Sequence, residues 1–242
     1  MRAVSGALVA LLLSAGLGGA ALAQEEAELE SAQNNVADTA SLQRGAKYFV
    51  NYCLGCHSAK YVRYNRLAKD LQLTEQQLVD NLMFTGERPF DTMAIGARPE
   101  DQARWFGRQP PDLSLIARSR GPDYIYTFLR SFYADPKKPT GANNVVLPGT
   151  AMPHVLWELQ GVQTAKFKEG SGEFEGFELA RAGALQPEEY DEVVRDIVNF
   201  LDYIGEPIQR ERVALGIRVI GFLLVFWLIA YLLKKEIWKD VH

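Results

Sequence analysis

Cys53-Leu54-Gly55-Cys56-His57 is the stretch on which the reading of the fold turns, and it holds the only two cysteines in 242 residues. The pattern C-x-x-C-H is the attachment signature of a c-type haem. Two thiols separated by two residues reach two vinyl groups on one porphyrin edge and form thioethers. The adjacent imidazole then projects under the ring toward iron. Three other uses of such a pair compete. A thioredoxin-like redox pair needs a βαβ context, which the flanking sequence lacks. Half a zinc site needs further cysteines or histidines, and only His154 and His242 remain. A structural disulfide suits an exported domain.

An iron that only passes electrons needs a sixth ligand. The sequence offers Met83, Met93, Met152 and His154. Met152 lies in Pro148-Gly149-Thr150-Ala151-Met152-Pro153, a stiff loop well downstream of His57. A thioether there raises the reduction potential relative to a second imidazole. Met152 is the expected ligand, and His154 is the alternative. Haem propionates need donors where they are partly buried. Arg118 and Arg120 follow Pro110-Pro111-Asp112-Leu113-Ser114. Arg120 is the expected charge-assisted partner of a propionate, with Arg118 beside it. Pro110 and Pro111 hold rigid backbone, and a carbonyl there is suited to accept the Nδ1–H of His57.

Working outward from the motif, the apolar periodicity predicts helices over residues 41–52, 122–133 and 187–204. Thr74 to Gln77 fits a capping box that starts another short helix. Residues 24–40 read as a loose arm or short helix. Residues 85–114 read as a long covering loop, and 135–148 as a second loop. A hairpin turn is expected at Glu169-Gly170-Ser171-Gly172. The expected fold class is mainly α with long loops.

Two segments fall outside this domain. Residues 1–23 read as a secretory signal peptide: Arg2, then an uncharged apolar run, then Ala21-Leu22-Ala23. Residues 214–233 are apolar apart from Arg218, and as a helix would span roughly 30 Å, one hydrocarbon core. The expected division is therefore a signal peptide at 1–23, a periplasmic haem domain at 24–210, and a transmembrane anchor with a short tail at 211–242. The bases flanking the span leave the positive-inside rule close to a tie. The signal peptide then sets the orientation, with the haem domain in the periplasm, a single pass through the bacterial inner membrane, and a cytoplasmic C-terminus. The net charge of −4 argues against a nucleic-acid partner.

The ordered set of the haem motif, Tyr64-Asn65-Arg66-Leu67, Pro110 to Ser114 with Arg118 and Arg120, Gly149 to Pro153, and one C-terminal anchor resembles the cytochrome c1 family in its bacterial form. The resemblance covers nearly the whole chain. It implies an elaborated class I cytochrome c fold carrying one covalent haem c. It also implies an electron-carrier subunit, not an enzyme on its own, within a dimeric quinol–cytochrome c oxidoreductase. The electron would come from a Rieske iron–sulfur protein and leave to a cytochrome c. Cytochrome b and membrane lipid would surround the anchor. An acidic surface would receive a basic cytochrome c, and Glu169, Glu173, Glu175 and Glu178 are one candidate cluster. Two other functions compete. One is a membrane-anchored c-type cytochrome serving another dehydrogenase or oxidase chain. The other is a peroxidase-like haem enzyme with an open sixth position.

Overall fold

The computed structural model describes residues 28–241, so the expected signal peptide lies outside the described residues. Helix α1, Thr39–Tyr48, starts where the Asp38 carboxylate accepts the Ser41 backbone N–H at 3.1 Å. It widens into one π turn, Phe49–Cys53. The expected face of Leu42, Ala46, Phe49 and Val50 is buried. Helix α8, Pro187–Gly205, starts with Pro187 in its first turn, and Glu189 reaches back to the Gln186 N–H at 2.9 Å.

The core lies where α1 crosses α8. Gly45 makes the crossing possible, because a Cβ there would sit 2.0 Å from the Asp196 carbonyl oxygen. The Phe49 and Phe200 rings meet at 5.3 Å, and Val194, Ile197 and Val198 fill the seam. Each such buried side chain contributes about 1.5–3 kcal/mol. A polar cluster fixes the register beside them. The buried Asp196 carboxylate accepts from Ser41 Oγ at 2.6 Å and from both Arg44 Nε and Nη2, at 2.6 and 2.8 Å.

Between these helices run β1 (Ala59–Arg63), α2 (Tyr64–Asp70), α3 (Glu75–Asn81), β2 (Thr92–Met93), α4 (Pro99–Phe106), α5 (Ile116–Arg120) and α6 (Pro122–Arg130). Then follow β3 (Phe132–Ala134), β4 (Ala142–Asn144), α7 (Trp157–Gln160), β5 (Gly161–Phe167) and β6 (Phe174–Ala182). The strands form three antiparallel pairs: β1 with β2, β3 with β4, and β5 with β6. Thr74 closes the expected capping box on α3.

Four expectations need correction. The helix expected over residues 122–133 stops at Arg130, and Phe132 and Tyr133 pair with Asn144 and Asn143 between β3 and β4. Residues 30–36 are neither loose nor helical but an irregular strap tied down by its backbone. Its backbone donates to Thr127 Oγ1, Asp123 Oδ1 and Asn199 Oδ1 on α6 and α8, at 2.8, 2.8 and 2.5 Å. The stretch read as one covering loop, 85–114, contains β2 and α4. Asp101 supports α4 by pairing with Arg98 at 2.9 Å, and Pro99 sits in its first turn. Within 135–148, Ala142–Asn144 pairs with β3.

Helix α9, Gln209–Ile237, has a mean hydropathy of 2.5 in its apolar part and is long enough to cross a membrane. The elbow between α8 and α9 is held by Glu206, which accepts from Arg118 at 3.1 Å and from Arg212.

Candidate functional site

The motif is a single turn folded on one carbonyl. Cys53 O accepts the Cys56 N–H at 3.1 Å and the His57 N–H at 2.9 Å. Leu54 N–H donates back five residues to Phe49 O at 2.9 Å, the bond that makes the turn π. Insertions of this kind recur at functional sites because they redirect the side chains that follow. Here the redirected side chains are Cys53, Cys56 and His57.

The segment 110–114 is zipped onto the motif's exit. His57 Nδ1 lies 2.7 Å from Pro111 O. Leu113 N–H donates to Ser58 O at 2.8 Å, and Lys60 N–H donates to the Asp112 carboxylate at 3.0 Å. Buried Ser114 accepts the Tyr61 N–H through Oγ at 3.1 Å. Burial alone would raise the Asp112 carboxyl. The donors from Ser114 and Lys60 outweigh it and hold Asp112 below the usual carboxylate range. Burial pushes the His57 imidazole below its ordinary value, only partly offset by the Pro111 carbonyl and Asp112. The ring is therefore neutral near pH 7. With Nδ1–H given to Pro111, the lone pair of Nε2 is left for a metal.

This donor set fits a c-type haem and does not fit the rival readings. Burial pushes the Cys53 thiol up to about 12, opposite to the lowered value of a redox-active pair. The two thiols are unbonded. Among the described residues no three His, Cys, Asp or Glu side chains gather as a metal cluster.

Met152 is half-buried and packs on the core that also receives Cys53, Leu113 and Ile116. Its loop is braced by two asparagines that the sequence reading missed. Asn144, fully buried, accepts from the Val146 and Leu147 N–H groups at 2.9 and 3.1 Å and donates to Phe128 O at 2.8 Å. Asn143 Oδ1 accepts the Gly149 N–H at 2.8 Å, where Gly149 adopts φ +79°. The other sulfurs are placed differently: Met93 is fully buried opposite Ala59, and Met83 follows α3. His154 stacks on Phe132 at 5.1 Å and 4°. A cavity of about 440 Å³ opens beside His154, and none of Cys53, Cys56, His57 or Met152 lines it.

The two arginines separate. Arg118 is taken by Glu206 at the elbow, whereas Arg120 lies over the Tyr124 ring at 5.4 Å and makes no ion pair among the described residues. Of the four hairpin glutamates, Glu178 pairs with Lys166 at 2.9 Å and Glu173 with Lys168 at 3.8 Å. The hairpin is thus less acidic than its glutamates alone suggest.

The family model described as the Cytochrome C1 family matches residues 31–171 and 183–241. The chain is 53% identical over 219 residues to cytochrome c1 of Allochromatium vinosum, covering 88% of this chain and 90% of that protein. It is 43% identical over 242 residues to a Nitrosomonas europaea protein named ammonia monooxygenase gamma subunit, covering all of both. It is 26% identical over 229 residues to the mitochondrial cytochrome c1 haem protein of Saccharomyces cerevisiae, covering 84% and 68%.

Proposed function

Because the chain belongs to the cytochrome c1 family, whose members carry a covalently bound c-type haem and serve as electron-transfer subunits of bc1 complexes, we propose that it relays single electrons from a Rieske iron–sulfur protein to a cytochrome c. Cys53 and Cys56 would hold the haem through thioethers, His57 and Met152 would bind its iron, and Arg120 would neutralise a propionate. Cytochrome b and lipid flank α9, and the complex is a dimer. Residues 1–23 are a signal peptide, residues 24–210 form the periplasmic haem head, and residues 211–242 anchor it with the C-terminus in the cytoplasm.

The observation that carries this reading is the 2.7 Å contact of His57 Nδ1 with Pro111 O, directly after a C-x-x-C turn. When bound, the haem supplies a one-electron couple. The residues do the rest. Pro111 fixes the tautomer and orientation of His57. Asn143 and Asn144 hold the Met152 loop stiff, so the sixth position stays closed to other molecules. A closed, unchanged coordination sphere keeps reorganisation small and disfavours peroxidase chemistry.

The end-to-end match to the protein named as a monooxygenase subunit supports a second reading, a haem head serving an oxygenase or another chain. Purification in mild detergent separates the two. Reduced-minus-oxidised spectra and electron paramagnetic resonance should find b-type haem and a Rieske centre with this chain. Recovery with oxygenase subunits and no b-type haem would sink the first reading.

A further inference from the structure

Helix α4 has no role in the relay as described, yet the chain fastens it and the segment after it to the haem motif at two points. At its middle, Gln102 is buried and donates through Nε2 to Cys56 O at 2.9 Å. Beyond its end, Pro111 O accepts from His57. Residues 102–111 therefore form an arch whose two feet stand on adjacent residues of the motif. Gly107 turns the chain between them at φ +75°, a conformation suited to glycine at a helix C-terminus.

Trp105 and Phe106 sit within the arch. They lie three and four positions after Gln102, so they share the helix face that Gln102 turns toward Cys56. The two rings meet edge to face at 6.4 Å. Both are exposed, Trp105 at 63%, although the arch carrying them is pinned by a buried amide. An exposed aromatic pair on the helix that Gln102 ties to Cys56 has a natural occupant for its apolar surface, the porphyrin edge that Cys56 would carry.

We propose that Trp105 and Phe106 wall the haem edge at Cys56 and keep water from it, with Gln102 holding the wall in place. They are positioning residues for the haem, and the proposal rests on the reading of Cys53, Cys56 and His57 as its attachment site. Excluding water from a haem edge disfavours the more highly charged oxidised state and raises the potential.

The test uses the full-length haem-loaded chain. Trp105→Ala with Phe106→Ala should lower the midpoint potential and speed reduction by a small hydrophilic reductant severalfold. Trp105→Phe should restore both toward the parent. Leu179→Ala, which removes an exposed apolar side chain on β6, should move neither. Should the double variant fail to take up haem, Trp105→Leu alone carries the same two readouts. A variant that keeps covalent haem and its sulfur-to-iron absorption band, with potential and reduction rate unmoved, overturns the wall. Parent chain that shows no covalent haem on a denaturing gel instead overturns the attachment reading beneath it.

Discussion

His57 and Pro111 are joined by a 2.7 Å contact between Nδ1 and the backbone carbonyl, and the residue next to Pro111 holds that carbonyl in place. Asp112 does so by accepting the N–H groups of Lys60 and Ser114. Asp112→Ala should release the segment, weaken the histidine's hydrogen bond and lower its basicity toward iron. The midpoint potential should rise, and stability should fall by about 1–3 kcal/mol. Redox titration and denaturant unfolding of the same variant check both.

Met152→Leu should remove the near-infrared sulfur-to-iron band, lower the potential and open the haem to carbon monoxide. A variant that keeps the band would shift the assignment to another methionine, Met83 or Met93, whereas a parent chain without the band would point to His154.

Asn144→Ala leaves Met152 in place but takes the acceptor from the Val146 and Leu147 N–H groups and one of two donors from the Phe128 carbonyl, at a part-buried site. The cost should be about 2–4 kcal/mol. On warming, the near-infrared band should be lost before the helical circular dichroism, because the loop now loosens ahead of the core.

Gly45→Val places a branched side chain where even a Cβ would approach the Asp196 carbonyl to 2.0 Å. The helices must separate, at a cost of at least about 1–3 kcal/mol. Far-ultraviolet melting should show a lower Tm. An unchanged Tm would mean that α1 does not cross α8 here.

Asp202 titrates above the usual carboxylate range because burial disfavours its charge and Glu206 repels it, against the Asn34 amide and Arg118. The sign follows from linkage. A folded pKa above the unfolded one means that the native state binds the extra proton, so stability falls as pH rises through that range. Asp202→Asn should therefore raise Tm at pH 7 and change it less near pH 3. The gain should stay below about 1 kcal/mol, since the group is half-exposed.

The C-x-x-C-H turn, the strongest helices and the long apolar helix α9 were legible because each leaves a periodic or spaced pattern. α8 shows in Tyr190, Val193, Ile197 and Leu201, all of which are buried. The strap at 30–36 left no such pattern. Its order comes from backbone donors meeting distant side chains, and polar composition does not record that. α4 was hidden by the Gly, Pro and charge around it, although Pro99 at its start and Gly107 at its end are ordinary helix boundaries. Asn143 and Asn144 looked like loop residues. Their work is to satisfy buried backbone, which depends on where the chain returns in space. Arg118 and Arg120 are two apart in sequence, and only the elbow distinguishes the one claimed by Glu206 from the one without a carboxylate.

The pairing of α1 with α8 also sets an order of events. The two helices bracket the soluble head, and α8 is the last part of it to be synthesised. The haem turn ends α1, so it leaves the ribosome long before its core partner exists. During that interval the turn stands on a chain end that cannot yet close against its core partner. Once Gly45 seats against α8, Leu54 is buried in the finished core, while Cys53 and Cys56 on either side of it stay half-exposed. Closure of the head therefore waits for its last-made helix, because its core joins the two ends of the soluble sequence.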